Sequence, residues 1–323
     1  MDTDFLTKKI SSFTLNNGLT IPSIGYGSGL LIEGCEEAIK IAIEAGYRHI
    51  DTGHFYQNEH LIGNSVSSLI ASGKIKRSEL YITTKVWNNL DTDVETDLRA
   101  SLKDLKMDYV DLCLVHWPFG LIDENFVMKQ QPLHIYWRQL EECIEKGLVK
   151  TIGVSNFSCQ ILCDLLSYAK IKPAVNQIEN HPYLPQDNLV KFCQRYNIHV
   201  MSYCSLARGG PTKNPSTKFI IYCFICLVFK AENPELFDEP LLRELSKKYN
   251  KTIAQIILNF GLSRGVSVLT RSLNLDRMKE SLESSNFSLE KGDVEKLLGL
   301  NRNARKVNPA EFKDLFENTP LFD

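Results

Sequence analysis

Eight short, largely apolar runs punctuate this chain, and between most of them lies a stretch whose apolar residues recur at helical spacing. The runs are SIGYG, YRHI, LYITTKV, VDLCLVH, VKTIGVS, AVNQI, IHVMSY and VSVLT. A strand that is apolar on both faces has to be covered on both faces, and a helix following each strand provides one of the covers. Ala38, Ile39, Ala42 and Ala45 line one side of a helical stretch that stops at Gly46, a residue suited to a C-terminal cap. The same spacing recurs at Val94, Leu98, Leu102 and Leu105, at Leu189, Phe192, Cys193 and Tyr196, and at Ile253, Ile256, Ile257 and Phe260. These four faces are expected to be core. Strand and helix alternating eight times within 323 residues define an α/β fold, a (β/α)8 barrel of the TIM type, expected as a single domain over residues 1–323. An open doubly wound sheet is the competing topology. It would carry a glycine-rich phosphate turn after its first strand, and SIGYGSG lacks both the full GxGxxG spacing and an acidic residue at the matching distance.

Composition narrows the function classes. A hydrophobic share of 43% against 24% charged residues is that of a globular chain with a large core. A net charge of −2 argues against an electrostatic partner such as nucleic acid or a membrane surface. The opening MDTDFLTKKI has neither the basic start nor the long apolar stretch of a secretory signal, so the expected location is cytoplasmic. Nine scattered cysteines fit reduced core thiols better than a disulfide framework. Cys223 and Cys226 have CxxC spacing, but no second pair or histidine stands at zinc-site distance from them.

Four polar residues fall at or just past the ends of successive strand runs: Asp51 and Tyr56 after YRHI, Lys85 in LYITTKV and His116 at the end of VDLCLVH. In a parallel barrel that end carries the reaction centre. Taken singly, each could be an ordinary loop residue. Together they supply what reduction of a carbonyl demands, because hydride delivery leaves negative charge on oxygen that must be protonated and stabilised. Tyr56 can donate the proton. Lys85 favours the phenolate by charge attraction, Asp51 keeps the buried ammonium charged, and His116 orients the substrate oxygen.

The segments GYRHIDTGHFYQNE, ITTKVW, DLCLVHWP, IGVSNF, PAVNQIENHPY and VLTRS together resemble the aldo-keto reductase superfamily, over nearly the whole chain. The resemblance implies NADPH-dependent reduction of a small-molecule carbonyl substrate by a monomer, with a catalytic tetrad of Asp51, Tyr56, Lys85 and His116. It places Ser155, Asn156 and Gln177 on the nicotinamide carboxamide and stacks Tyr203 on the ring, where residues alone would equally allow a helix cap and core packing. It adds Gly27, Ser28, Asp51, Cys204, Leu206 and Glu280 to the cofactor set. Arg271, Ser272 and Arg277 offer two cations and a hydroxyl to an adenosine phosphate, which favours NADPH over NADH. Many members have lysine at the place of Arg271 and asparagine at that of Ser281. Trp87 and Trp117 resemble pocket walls beside Tyr56 and His116. Gly29 stands where well-studied members carry a large aromatic residue, and the segment from Phe119 to Leu133 is short, so the pocket is expected to admit bulky carbonyls. Two other readings are a nucleotide-binding regulatory protein on the same barrel and a barrel enzyme of another class, such as a metal-dependent lyase. The complete tetrad weighs against the first, and the lack of paired carboxylates or clustered histidines at strand ends against the second.

FIIYCFICLVF, residues 219–229, departs from the pattern. As a helix it would extend about 16 Å, too short for a bilayer core of about 30 Å. It reads as an insert at about 218–230 beside the cofactor site, of the kind translated noncoding sequence would produce. Its deletion is expected to preserve or improve solubility and NADPH binding.

Overall fold

The computed structural model describes residues 11–122, 128–207 and 234–307. The apolar insert and the CxxC pair lie outside these residues. Each of the eight runs forms a strand: β1 Ile24–Gly27, β2 His49–Asp51, β3 Tyr81–Val86, β4 Val110–Val115, β5 Val149–Ser155, β6 Val175–Glu179, β7 His199–Tyr203 and β8 Val266–Thr270. They pair in parallel in chain order, and β8 returns to β1 through Val268 opposite Ile24, which closes the barrel. The open-sheet alternative is thereby excluded.

The connecting helices are α1 Cys35–Ala45, α2 Glu59–Ala71, α3 Val94–Leu105, α4 Leu133–Glu145, α5 Cys159–Tyr168, α6 Asp187–Arg195, α7 Pro234–Asp238, α8 Pro240–Tyr249, α9 Ile253–Ser263, α10 Leu275–Leu282 and α11 Lys291–Leu298. Their ends follow local chemistry. Gly46 terminates α1 at φ 114°, where its N–H bonds back to Ala42 and Ile43. Asp93 caps α3 by accepting from the Thr96 N–H, and Thr252 and Gln255 form a reciprocal capping box on α9.

The described residues form three apolar clusters, one of which packs α8, α9 and α11 together through Leu242, Leu245, Ile257, Phe260 and Leu297. The main core lies between the outer barrel face (Tyr26, Ile50, Ile82, Val115, Val154) and the inner faces of the helices (Ile39, Leu98, Leu140, Leu162). A smaller layer fills the barrel interior with Leu112, Leu114, Val175, Met201 and Leu269. Leu15 and Ile21, from a hairpin of Ser12–Thr14 and Thr20–Pro22, join that interior layer. Asn16 and Asn17 of the same hairpin donate to Pro173 O and Thr151 Oγ1, so it sits at the end of the barrel where strands begin. Chemistry is left to the other end.

One expected core face is corrected. Helix α6 buries Val190 and Cys193, whereas Leu189 and Phe192 are half-buried and Tyr196 is 42% exposed. Tyr196 follows the last helical residue and packs on the Phe192 ring at 4.8 Å instead of on the barrel. The cysteines within the described residues are all free thiols, and Cys35, Cys113, Cys143 and Cys193 are buried.

Candidate active site

Strand register brings the predicted polar residues to one end of the barrel. Gly27 lies opposite Asp51, Asp51 opposite Thr83, Gln177 opposite Ser155, and Glu179 opposite Tyr203. Directly after β2 the chain makes a single 3-10 turn, His54–Tyr56, closed by the Tyr56 N–H on Gly53 O at 2.9 Å. Gly53 makes room for this turn: a Cβ there would stand 3.2 Å from Lys85 Cβ and 3.3 Å from its Cγ, in the path of the lysine stem.

Lys85 is fully buried and its ammonium donates to Asp51 Oδ1 and to Thr52 O, both at 2.6 Å. Gln177 Nε2 donates to the other carboxylate oxygen at 2.7 Å. Burial alone would push the lysine pKa down, but Asp51 and Tyr56 outweigh it and hold the value above the ordinary one, so the ammonium is retained. Burial pushes Asp51 up against the pull of Lys85 and Gln177. With two donors on its two oxygens, the ionised carboxylate is the form this geometry stabilises.

The Tyr56 ring stands over the ammonium, 4.9 Å from Nζ to the ring centre, and its hydroxyl lies 3.5 Å from His116 Nε2. Burial raises the phenol pKa and Lys85 lowers it, and burial prevails. The expected acidification is therefore present as an interaction but outweighed, and Tyr56 keeps its proton in this state. Burial, then Lys85, pushes His116 well below the usual histidine value, which makes it a neutral imidazole.

Around these tips stands an aromatic wall. Trp87 packs on His116 at 5.1 Å and on Phe55 at 5.0 Å, and Trp117 packs on Phe119 at 5.3 Å. Trp87 and Trp117 were expected from the sequence; Phe55 and Phe119 were not. Their signal is their place, Phe55 inside the HFY turn and Phe119 two residues beyond Trp117, but a strand-exit phenylalanine is indistinguishable from core before the fold is known.

The remaining predicted positions group into two regions. Ser155 Oγ donates to Gln177 O at 2.9 Å, Asn156 Nδ2 donates to His116 O at 3.0 Å, and the Tyr203 hydroxyl donates to Asn156 Oδ1 at 2.7 Å. Cys204 follows in a left-handed backbone conformation (φ 49°), and Leu206 is half-buried. On the other flank, Ser28 N–H donates to Asp51 O, and its Oγ is buried with no partner among the described residues. Gly27 is open enough for a Cβ, with nothing nearer than 3.7 Å.

Arg271 is exposed and donates to Gly29 O at 2.5 Å, while Ser272 and Arg277 flank the Asn274 cap of α10. Glu280 accepts from the Thr252 hydroxyl at the start of α9. Ser281 Oγ bonds back to Arg277 O. The unsatisfied Ser28 hydroxyl, the half-buried Tyr203 ring and the exposed guanidinium at β8 fit a dinucleotide laid from the barrel mouth towards α10. NADPH bound there would supply a hydride at the mouth.

A family model described as the aldo/keto reductase family matches residues 33–302. Aldose reductase B of Dictyostelium discoideum is 35% identical over 97% of this chain and 98% of its own. Aldo-keto reductase family 1 member C21 of Mus musculus is 37% identical over 98% and 99%. A solved Bombyx mori aldo-keto reductase in complex with NADP superposes with a TM-score of 0.82 at 31% identity, covering 95% of this chain and 98% of that one. The chain belongs to the aldo/keto reductase family. It is an NADP(H)-dependent oxidoreductase of small carbonyl compounds. Among the described residues no helix is long and apolar enough to cross a membrane.

Proposed function

We propose that this chain reduces aldehydes and ketones to alcohols with Tyr56 as proton donor, Lys85 and Asp51 as the charge pair behind it, and His116 as the group that orients the carbonyl. The observation that carries this reading is the buried Lys85–Asp51 pair directly beneath a still-protonated phenol. A carbonyl oxygen seated between Tyr56 Oη and His116 Nε2 can accept from both when Nε2 carries the imidazole proton. As negative charge builds on that oxygen, Tyr56 releases its proton to it. The ammonium 4.9 Å from the ring centre stabilises the phenolate so formed. Asp51, held by Gln177, keeps Lys85 charged throughout and takes no proton itself.

Ser155, Asn156, Gln177 and Tyr203 would hold the nicotinamide half of NADPH, with Gly27, Ser28, Asp51, Cys204 and Leu206 around it. Arg271, Ser272, Arg277 and Glu280 would lie along the adenosine end. The substrate would enter past Trp87 and Trp117. Gly29 supports tolerance of bulky carbonyls, because any side chain there would start 3.7–3.9 Å from the Tyr56 ring and hydroxyl. The reading also takes the chain as one barrel domain, a monomer in the cytoplasm with neither nucleic acid nor membrane as partner, which agrees with its net charge of −2.

The test is consumption of NADPH by the purified full chain against a panel from small aldehydes to bulky ketones. Turnover across the panel supports the reading. NADPH binding without turnover on any carbonyl would contradict it.

A further inference from the structure

Glu179 ends β6 as a fully buried carboxylate, and the mechanism above gives it no task. Its oxygens are nevertheless saturated with donors. Oε1 accepts from Lys306 N at 2.6 Å and pairs with His181 Nε2 at 2.9 Å, while Oε2 accepts from Val307 N at 2.8 Å. Two of these donors are backbone amides more than 120 residues later in the chain. The same segment is tied down just before: Arg302 N and Ala304 N both donate to Tyr183 O, at 3.1 and 3.2 Å, and the Arg302 guanidinium lies over the Tyr183 ring at 4.0 Å. Residues 302–307 therefore form a strap across the strand-end face, fastened at Tyr183 and at Glu179.

The second fastening is beside the cofactor site. Glu179 is the register partner of Tyr203 on the neighbouring strand, so their side chains project to the same side. Burial, and after it the charge on Glu179, pushes the Tyr203 hydroxyl well above the ordinary tyrosine value, and Arg305 of the strap pulls it the other way. Tyr203 is in turn bonded to Asn156. We propose that Glu179 is a positioning residue for the cofactor: by latching Lys306 and Val307 it holds the 302–307 strap against Tyr203 and so sets how tightly the nicotinamide half of NADPH is held. This rests on the placement of the nicotinamide ring at Tyr203.

The chemistry requires a carboxylate. A glutamine in its place would turn an NH2 towards one of the two backbone amides whichever way it flipped, and one latch bond would be lost. Loss of a bond to a charged acceptor corresponds to about a tenfold or greater weakening.

The experiment titrates NADPH against the full-length chain and its variants Glu179→Gln, Val307→Pro, the double variant and Tyr203→Ala. Val307→Pro removes a latch donor from the strap side and decides the matter if Glu179→Gln does not fold. The latch predicts faster amide exchange at residue 306 or 307 in Glu179→Gln, NADPH binding weakened about tenfold in each latch variant, and a double variant no weaker than the worse single one, because both cut one contact. Weakened binding in Tyr203→Ala with native affinity in both latch variants overturns the latch alone. Native affinity in Tyr203→Ala overturns the placement of the ring, and the latch with it.

Discussion

Lys85 Nζ lies 2.6 Å from Asp51 Oδ1, with both side chains shut away from water. A pair of this kind adds little net stability over an apolar replacement, because desolvating both charges offsets their attraction, but breaking it from one side strands a charge. Asp51→Asn is therefore expected to destabilise the fold by about 3–5 kcal/mol. The double variant Asp51→Asn with Lys85→Met should recover much of that loss while remaining inactive. Urea unfolding of the three proteins checks this, and an Asp51→Asn protein of native stability would contradict a charged Lys85.

Gly29 faces the Tyr56 phenol, and its absent side chain would begin within van der Waals contact of it. Gly29→Leu should fold normally, since 3.7 Å is ordinary contact, but extend carbon over the hydroxyl. Its kcat/KM for bulky ketones should fall at least about tenfold while small aldehydes are spared. Equal losses across a substrate panel would remove Gly29 as the opening.

Arg271 and Arg277 should discriminate the two nicotinamide cofactors. Each charge-assisted contact to a phosphate corresponds to about ten- to a hundredfold in affinity. Replacing either by alanine should raise the KM for NADPH by that order and leave the KM for NADH unchanged. A parallel rise for both cofactors would indicate a structural effect of the substitutions. Arg271 carries an additional bond to Gly29 O, so its variant should also loosen the loop beside Tyr56.

Three histidines make the fold acid-sensitive. Burial pushes His49 down to about 3, His199 to about 4 and His116 well below its ordinary value. Their contribution is complete above the unfolded histidine value of 6.5 and is lost as pH falls from there through the folded values, because the unfolded chain binds protons the native one refuses. Each proton is worth about 1.4 kcal/mol per pH unit. His54 acts in the opposite sense, its value raised by Glu59, but its side chain is 44% exposed and the effect is screened. Stability should therefore fall between pH 6.5 and pH 4, and His199→Gln should flatten the slope. A flat profile over that range would contradict neutral buried histidines.

What the sequence could disclose follows from the range of each interaction. The eight strands were legible because burial on both faces leaves an apolar run that is local in sequence. Asp51, Tyr56, Lys85 and His116 were legible because strand ends in a parallel barrel converge, so position along the chain stood in for position in space. Tyr196 misled because helical spacing continued one residue past the end of α6. The Glu179 latch was hidden because its donors are backbone amides at residues 306 and 307, which no side-chain pattern records. Phe55 and Phe119 could be placed beside the tetrad only once their rings were seen against Trp87 and Trp117.

The account turns on one proton. Single-turnover reduction of an aldehyde by NADPH-loaded Tyr56→Phe, compared with the native chain, measures it directly. The phenol's loss should slow hydride transfer by about a hundred- to ten-thousandfold with NADPH affinity unchanged. Transfer at the native rate in Tyr56→Phe would show that the proton comes from elsewhere.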